Sequence, residues 1–544
     1  MHLDALANLK PKGRETHRLP LLSLATLVAL LAATPLVYIG LRALSADAAA
    51  WQRLLQARLW LLFRNTILLT AAVTASSSII GVGLAWLTER SNLPAKSAFR
   101  LLLALPLAIP AYIGAIIHLN LMRPRGGVIP KLLENALGIT MPAWNPLGFW
   151  GATFILTIFT YPYIYLLSAA AFRALNATIE EAARVFGRTP KQTFWFVVLP
   201  ALRPGLTAGM LLVALDVMAE YGTVALLRYE TFTSAIFVQL TGRYDHSAAA
   251  VLSGALVALA SVILLAELRT YGKGRFTQVE SQWRPARAIA LGKWHAPALG
   301  FVIGVVTASL LIPVTALVVW SMQTLLEVET SASIFRPGVQ GFAAHLWNSL
   351  WSAGLAAILA AVFSLPVAMA SIRSPSRFTR LLLRICQVGY ALPGVVIALS
   401  LLYIVNRYAS FLYATPLVVV LAYVLRHLPQ SVRGSEAAFA QIAPSLEEAA
   451  YTLGRNSRQT FLRVTLPLAF PGVLAGAALV FLTSLKELPA TLLLRPAGFD
   501  TLAVRAWIWA GDGFYQQAAP AALALVILAG IPLSFLLRKE ELIP

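Results

Sequence analysis

The chain has 544 residues, of which 58% are hydrophobic and only 12% are charged. Soluble proteins carry about 25% charged residues, whereas apolar runs of about 20 residues, long enough for a helix to cross a bilayer, recur throughout this sequence. The composition therefore excludes an ordinary soluble protein and predicts an all-α polytopic membrane protein. The net charge of +20 is explained better by basic cytoplasmic loops than by nucleic-acid binding. With a single cysteine, Cys386, a disulfide framework is impossible.

Twelve apolar runs predict about twelve transmembrane helices. The first run resembles a signal peptide, but it is longer than the roughly 7–15-residue core of one and is interpreted as a transmembrane helix. The runs of the first half lie near residues 21–41, 60–87, 99–120, 148–172, 204–226 and 246–267. Those of the second half lie near residues 296–320, 346–371, 381–405, 411–428, 471–494 and 516–537.

Lys and Arg concentrate in the segments that face the cytoplasm if the N-terminus is inside, as the positive-inside rule requires. These residues are Arg90, Lys96, Arg100, Arg173, Arg184, Arg188, Lys191, Arg203, Arg373, Arg377, Arg380, Arg384, Arg426, Arg433, Arg455, Arg458, Arg463, Arg538 and Lys539. Arg123, Arg125 and Lys131 go against the trend. Because each half has six runs, both halves have the same orientation, which predicts parallel repeats and two cytoplasmic termini.

One stretch occurs twice, without a gap, at a constant offset of 267 residues (447 − 180). The first copy contains Glu180-Glu181-Ala182-Ala183, Gly187-Arg188, Gln192-Thr193-Phe194, Leu199-Pro200 and Gly209. The second contains Glu447-Glu448-Ala449-Ala450, Gly454-Arg455, Gln459-Thr460-Phe461, Leu466-Pro467 and Gly476. Weaker matches relate Asn65 to Asn348 and Leu105-Pro106 to Leu392-Pro393. The chain is therefore interpreted as a duplication, with the transport pathway between the halves.

Both copies fall in predicted cytoplasmic loops. Helix formers come first, the small alanines let another protein approach closely, and Gly187 or Gly454 then allows a turn. A second short helix is expected to end at Leu199-Pro200 or Leu466-Pro467, because proline interrupts helices. The pattern predicts a helix–turn–helix elbow at the membrane surface. An elbow that merely caps its own bundle is the simpler reading, but two near-identical copies count against it.

The spacing of these residues resembles the signature loop of type I ABC importer permeases. The matching residues are Glu181, Ala182, Ala183, Gly187, Leu199 and Pro200, and again Glu448, Ala449, Ala450, Gly454, Leu466 and Pro467. The resemblance implies the type I permease fold with two fused six-helix units. It also implies that each elbow docks on one of two cytoplasmic ATPase subunits, while a periplasmic or extracellular binding protein delivers the substrate to a bacterial inner-membrane permease.

The implied domain boundaries follow the repeats. They are an N-terminus with the first transmembrane helix at 1–59, type-1 units at 60–268 and 344–537, a basic linker at 269–295, a seventh helix with an external loop at 296–343, and a tail at 538–544.

Segments of both halves resemble ferric-iron permeases in particular, with thiamine permeases, which are also fused, as the alternative. In the first half they are Glu220-Tyr221-Gly222-Thr223-Val224 and Thr231-Phe232-Thr233. In the second half they are Lys486-Glu487-Leu488-Pro489-Ala490-Thr491, Leu494-Arg495-Pro496 and Thr501-Leu502-Ala503. The second half lacks the glycine after its acidic residue, and Ala219 stands where Lys486 stands. The halves are therefore not equivalent along the expected pathway.

Glu220 and Glu487 share the 267-residue offset and lie about 20 residues beyond the Leu-Pro motifs, near the outer ends of their helices. Charges at membrane depth commonly face protein or water. These carboxylates, with Asp216, Tyr221 and Lys486, are candidates for a gate that accepts a cation. The alternative is interface packing, with Glu487 paired to Lys486 or Arg495.

Ferric iron suits oxygen ligands, but the sequence shows no compact ligand cluster, so no metal site and no tightly bound cofactor are expected. A nucleotide-binding Gly-x-x-x-x-Gly-Lys motif is absent from the sequence, so ATP is expected to act through the partner ATPase. A self-contained secondary transporter of six plus six helices and a membrane-embedded enzyme are the alternatives of other classes. The first would not need two matched elbows, and the second lacks a catalytic cluster.

Overall fold

The structure is a computed structural model that describes residues 18–45, 58–123, 127, 130–131, 134–135, 138, 145–271, 288–330 and 341–541. The first-half helices are α1 (Arg18–Leu44), α2 (Leu59–Arg90), α3 (Lys96–Ala108), α4 (Ala111–Leu121), α5 (Phe149–Ala174), α6 (Ala177–Val185), α7 (Pro190–Ala219), α8 (Gly222–Leu226), α9 (Phe232–Thr241) and α10 (His246–Tyr271). The second-half helices are α11 (Gly292–Leu326), α12 (Phe342–Arg373), α13 (Arg377–Gln387), α14 (Gly394–Tyr408), α15 (Pro416–Gln441), α16 (Pro444–Thr452), α17 (Ser457–Leu485), α18 (Pro489–Leu494), α19 (Leu502–Gly511) and α20 (Tyr515–Glu541).

Among these described ranges, nine helices are long and apolar enough to cross a membrane, or ten if the bent pair α3–α4 is one span. The other two predicted runs are also helical. The run near 381–405 is divided between α13 and α14, and the run near 411–428 lies in α15. That helix is less apolar because it carries Arg426, Arg433 and Glu436. The predicted all-α polytopic fold is confirmed.

Proline breaks one predicted span in each half. A 3₁₀ turn precedes Pro110, the residue immediately before α4, and the chain bends there by 95°. In the second half a 3₁₀ turn likewise precedes Pro393, which lies immediately before α14 and has nearly the same backbone angles as Pro110. Leu392-Pro393 thus corresponds to Ile109-Pro110, and the predicted match with Leu105-Pro106 is wrong by four residues. The two pairs are similar in sequence, because Leu105-Pro106 and Ile109-Pro110 lie only four residues apart.

The long helices α2 and α12, both of 32 residues, show the repeat in three dimensions. Near the start of α2, the Asn65 side chain donates a hydrogen bond to the Glu230 carbonyl at 3.0 Å. In α12 the Asn348 side chain donates in the same way to the Asp500 carbonyl at 3.1 Å. Each asparagine therefore fixes the loop that follows the predicted pathway segment of its own half.

The described helices form two compact units. The repeat-one unit comprises Ala46–Leu346 and Leu502–Pro544. Its core joins Leu84 of α2 and Tyr161 of α5 to Val302 and Val306 of α11. The last helix, α20, packs against α11, where the Thr324 hydroxyl donates to the Gln516 carbonyl at 2.8 Å. This unit therefore contains α11 and α20 in addition to helices of the first half.

The repeat-two unit comprises Met1–Ser45 and Trp347–Thr501. Ala25 and Ala29 of α1 pack in its core with Ala360 of α12. Pro35 lies inside α1, where it cannot donate to the carbonyl four residues earlier. The Thr34 hydroxyl donates to that carbonyl, at Leu31, over 2.7 Å. The first helix of the chain is thus a core element of the unit built around the second repeat.

Part of the predicted linker is held against the repeat-one unit. The Ile289 amide donates to the Arg90 carbonyl at 2.8 Å, and the Asn92 amide donates to the Ile289 carbonyl at 3.1 Å. These contacts anchor the linker where α2 ends. Residues 272–287 of the linker and residues 1–17, with Lys10, Lys12 and Arg14, lie outside the described residues.

Candidate coupling and pathway sites

The first elbow is α6 with the turn that follows it. Three backbone hydrogen bonds close the end of α6. The amide of Phe186 donates to the Ala182 carbonyl at 3.0 Å, that of Gly187 to the Arg184 carbonyl at 2.9 Å, and that of Arg188 to the Ala183 carbonyl at 3.1 Å. This pattern closes a helix end when the following residue is left-handed, and Gly187 has a φ of +79°. An added Cβ there would meet no atom within 4 Å. The glycine is therefore required by backbone conformation rather than by space.

The second elbow repeats this geometry at α16. The amide of Leu453 donates to the Ala449 carbonyl at 3.1 Å, that of Gly454 to the Tyr451 carbonyl at 3.0 Å, and that of Arg455 to the Ala450 carbonyl at 3.1 Å. Gly454 has a φ of +77°, and an added Cβ would again meet open space. Two segments separated by 267 residues therefore fold into the same turn.

The helix after each elbow begins with a reciprocal cap. Thr189 and Gln192 exchange side-chain and backbone hydrogen bonds in the first copy, and Asn456 and Gln459 do so in the second. This arrangement satisfies amide groups that have no partner within the helix. The exposed turn consequently leads directly into the membrane-spanning helix.

Proline does not end this helix, contrary to the sequence expectation. Both helices run on through a π-helical turn, residues 194–198 and 461–465, into their membrane-spanning parts. At its end the Leu199 amide bonds the Phe194 carbonyl and the Leu466 amide bonds the Phe461 carbonyl, five residues back. A wide turn gives room where a proline ring would otherwise meet the preceding turn. The two Leu-Pro motifs therefore lie within the long helices, beyond the elbow turns. Leu199 and Pro200 are half-buried in α7, and in α17 Leu466 is half-buried and Pro467 is exposed.

The elbows present distinct inward and outward faces. In α6, Ala177, Glu180 and Ala183 are buried, whereas the predicted contact residues Glu181 and Ala182 are exposed. In α16, Ala450 is buried and Glu448 and Ala449 are exposed. At the turn, Val185 and Phe186 are each 85% exposed and Leu453 is 81% exposed. Each elbow thus offers large apolar side chains next to a charged residue.

Two residue pairs that the sequence interpretation missed hold the inward faces. Arg90, the last residue of α2, forms a buried ion pair with Glu180. Arg373, the last residue of α12, pairs with Glu447 at 3.1 Å. The sequence does contain a signal for these pairs. The two glutamates recur at the 267-residue offset, and the two arginines recur at an offset of 283 residues (373 − 90), which is also the offset between Asn65 and Asn348 in the long helices. These arginines lie outside the elbow motif, at the ends of helices that precede it in the sequence.

The first-half pathway candidates lie where α7 ends. A Glu220 carboxylate oxygen accepts hydrogen bonds from the Thr223 amide and hydroxyl, both at 2.8 Å. The buried Tyr221 stacks on Phe237 with ring centroids 4.2 Å apart. Asp216, one turn earlier on α7, is exposed although its neighbours along the helix are buried. Glu220 therefore shapes the turn into α8, whatever further role it has.

The second-half carboxylate has a charged partner. Glu487 is buried, and it accepts from the Arg426 guanidinium at 3.0 Å and from the Ala490 amide at 3.3 Å. His427 approaches its second oxygen at 3.8 Å. The sequence interpretation named Lys486 and Arg495 as candidate partners. Arg426 takes that place, while Arg495 pairs with Asp500 and Lys486 is half-buried beside Glu487.

The backbone of Gly394 lies directly beneath this ion pair. A Cβ at that position would lie 2.2 Å from both the Arg426 Nη1 and the Glu487 Oε1. By repeat position, Ala111 corresponds to Gly394 and Phe159 corresponds to Arg426. The charged cluster therefore belongs to the second repeat alone. Within the described residues, no group of three His, Cys, Asp or Glu side chains could hold a metal ion.

Comparison with known proteins identifies the repeats. The family described as "Binding-protein-dependent transport system inner membrane component" matches residues 77–271 and again 360–539. The chain is 34% identical to the Fe(3+)-transport system permease protein FbpB 2 of Haemophilus influenzae over 95% of this chain and 97% of that protein. It is 24% identical to the ferric transport system permease protein FbpB of Actinobacillus pleuropneumoniae over 87% of this chain and 70% of that protein.

A shorter relative matches part of the chain. The sulfate transport system permease protein CysT of Escherichia coli is 25% identical over 41% of this chain and 80% of its own length. The double family match, the full-length relative and the duplicated elbows agree. The chain belongs to the family of binding-protein-dependent transport system inner membrane components and is a multi-pass permease with two copies of the family's transmembrane unit.

Proposed function

We propose that this permease carries ferric iron across the cytoplasmic membrane, driven by ATP hydrolysis in a separate subunit. The observation that carries the substrate assignment is the 34% identity to an Fe(3+)-transport permease along nearly the whole of both chains. The A. pleuropneumoniae relative, named for ferric transport, gives independent support.

The two elbows are the proposed docking points for two copies of a cytoplasmic ATPase. Val185 and Phe186 on the first elbow and Leu453 on the second expose large apolar surface outside the predicted membrane spans. Burying one such side chain fully contributes about 1.5–3 kcal/mol. The neighbouring Glu181 and Glu448 add charge that can select a basic partner surface. The elbows differ in sequence at these apolar positions, so each has its own fit to the ATPase.

The proposed cycle is alternating access. A loaded binding protein docks on the external side, ATP closes the ATPase dimer, and the elbows carry that movement into α7 and α17, with which they are continuous apart from one turn. Both termini are cytoplasmic in this scheme, in keeping with the distribution of Lys and Arg.

Iron is cargo in this scheme, with no resident site on the permease. Selectivity would lie in the binding protein, and the permease would offer transient oxygen contacts. Glu220 and Asp216 in the first half are the proposed acidic contacts at the outer gate, with Tyr221 beside them. Glu487 is held by Arg426 in the structure, so its part in the gate would require that pair to open, next to Lys486.

The decisive experiment is ATP hydrolysis by the reconstituted complex of this chain, its ATPase and its binding protein. It is run with ferric iron, with thiamine, with sulfate and with no substrate. We expect ferric iron alone to stimulate hydrolysis. Stimulation by another solute would keep the architecture and overturn the substrate, and failure to co-purify any ATPase would favour a self-contained secondary transporter.

A further inference from the structure

Each elbow is joined to a long helix by an ion pair, which is buried in the first repeat and partly buried in the second. In the first repeat, Arg90 and Glu180 have side chains that are 5% and 9% exposed. In the second, the Arg373 Nε atom donates to the Glu447 carboxylate at 3.1 Å, and the Arg373 Nη2 atom donates to the Ile442 carbonyl at 3.1 Å. The same residue types occupy the same places in both repeats, although the helices around them have diverged in sequence.

The placement of these charges suits both helix ends. Arg90 and Arg373 are the final residues of α2 and α12, where unpaired carbonyls favour positive charge. Glu180 and Glu447 lie in the first turn of α6 and α16, where free amides favour negative charge. Each pair therefore joins the end of a long helix to the beginning of an elbow helix.

Stability alone is a poor explanation for such pairs, because apolar side chains of similar volume often stabilise a buried position equally well. What an ion pair adds is fixed geometry, since separating the partners leaves two uncompensated charges away from water. A pair that resists separation transmits displacement from one element to the other.

In both repeats the arginine residue also contacts a third element. In the second, Arg373 also donates to the Ile442 carbonyl where α15 ends, and the Thr465 hydroxyl donates to Glu447 at 3.0 Å. In the first, the Ile289 amide of the linker donates to the Arg90 carbonyl at 2.8 Å. The arginine end of the long helix is thus held on more than one side.

We propose that Arg90, Glu180, Arg373 and Glu447 are positioning residues that make each elbow and its long helix move as one body during transport. This inference rests on the proposed function, because it supposes that an ATPase moves the elbows. Glu180 is buried and Glu447 is half-buried, whereas the adjacent Glu181 and Glu448 are exposed, so the ion-paired glutamates act on transmission and leave the docking surface unchanged.

The test uses the complete reconstituted complex and compares substrate uptake per ATP hydrolysed. The variants are Glu180→Gln, Glu447→Gln and the double substitution. The matched control is Glu89→Gln, which removes a buried carboxylate one residue from Arg90 on the same helix. Glu89 pairs with Arg100 and Arg173 and does not contact the elbow through these bonds.

The double variant is expected to bind the ATPase and hydrolyse ATP while its uptake per ATP falls about tenfold, a usual size for coupling between sites. Glu89→Gln is expected to keep the wild-type ratio. Arg90→Lys with Arg373→Lys, which keeps both charges but loses the forked geometry of the guanidinium, is expected to give an intermediate ratio. If the glutamine variants do not reach the membrane, the ratio of uptake to ATP hydrolysis in this lysine variant tests the inference instead, and a wild-type ratio there would overturn it.

An unchanged ratio in the double variant, or an equal loss in Glu89→Gln, would overturn the inference. Loss of ATPase binding in the double variant would also overturn it, because the pairs would then shape the docking surface. The proposed function fails in a different way, through the wild-type chain forming no complex with an ATPase, so the two failures are distinguishable.

Discussion

Glu220 and Glu487 occupy the same position of the repeat but have different surroundings. Glu487 is buried against the Arg426 guanidinium, whereas Glu220 is half-buried and accepts hydrogen bonds from the amide and hydroxyl of Thr223. An amide side chain can accept hydrogen bonds as a carboxylate does, but it cannot balance a buried charge. The same chemical change should therefore have unequal effects at the two positions.

We expect Glu487→Gln to destabilise the protein by about 3–5 kcal/mol, because it leaves the Arg426 charge without its counter-charge. Glu220→Gln should cost no more than about 1.5 kcal/mol, because the amide oxygen can still accept both hydrogen bonds from Thr223 and only the contribution of the charge to them is lost. Thermal unfolding of the two purified variants in the same detergent measures the difference, and each variant is the control for the other. Equal shifts of the midpoint would contradict this account. Reduced uptake by a stable Glu220→Gln variant would support its place at the gate.

Gly394 gives a prediction based on space alone. Gly394→Ala places a methyl group 2.2 Å from both members of the Arg426–Glu487 pair, and such overpacking typically costs about 1–3 kcal/mol. Gly354→Ala is the control, because that helical glycine of α12 has no atom within 4 Å of an added Cβ. Alanine there should be neutral or stabilising by up to about 1 kcal/mol. A lower unfolding temperature for both variants alike would show that the pair is not the cause.

At the scale of the element, the elbows depend on two left-handed glycines with open space around them. We expect Gly187→Val with Gly454→Val to abolish uptake while the chain still inserts, since a left-handed backbone costs most residues about 1–2 kcal/mol at each position and β-branched residues more. Asparagine tolerates this conformation, so Gly187→Asn with Gly454→Asn should retain most of the uptake. The measurement is uptake normalised to the amount of permease in the membrane. Normal uptake by the valine variant would remove the coupling role of the elbows.

The sequence predicted the elbow itself better than it predicted the ion pairs that hold the elbow in place and the π turn that follows it. Spacing within one segment predicts a helix, a glycine turn and a second helix, because each step depends on neighbouring residues. The Arg90–Glu180 pair joins residues 90 positions apart, and no local rule selects that arginine among the many cytoplasmic ones. The π turn before Pro200 was also missed, because the same proline that usually ends a helix is accommodated when one turn widens.

For the whole molecule, apolar runs predicted where the helices lie but not which unit each one joins. Helix α1 is in the core of the repeat-two unit, and α11 and α20 belong to the repeat-one unit. Their Leu-, Ala- and Val-rich faces are alike, so hydropathy cannot distinguish between partners. Sequence order alone would have kept α1 with the first repeat, and only side-chain packing such as that of Ala25 and Ala29 distinguishes the two arrangements.

The predicted parallel orientation of the repeats can be tested along the whole chain. The native Cys386 is fully buried, so single cysteines can be introduced without replacing it. Glu134→Cys and Asp512→Cys are expected on the external side, and Arg188→Cys and Arg458→Cys on the cytoplasmic side; all four positions are exposed. A membrane-impermeant maleimide should label the first two in intact cells and the last two only after permeabilisation, with the unsubstituted chain as the control. If one repeat were inverted, Glu134 and Asp512 would label on opposite sides, and the two elbows could not reach ATPase subunits in the same compartment.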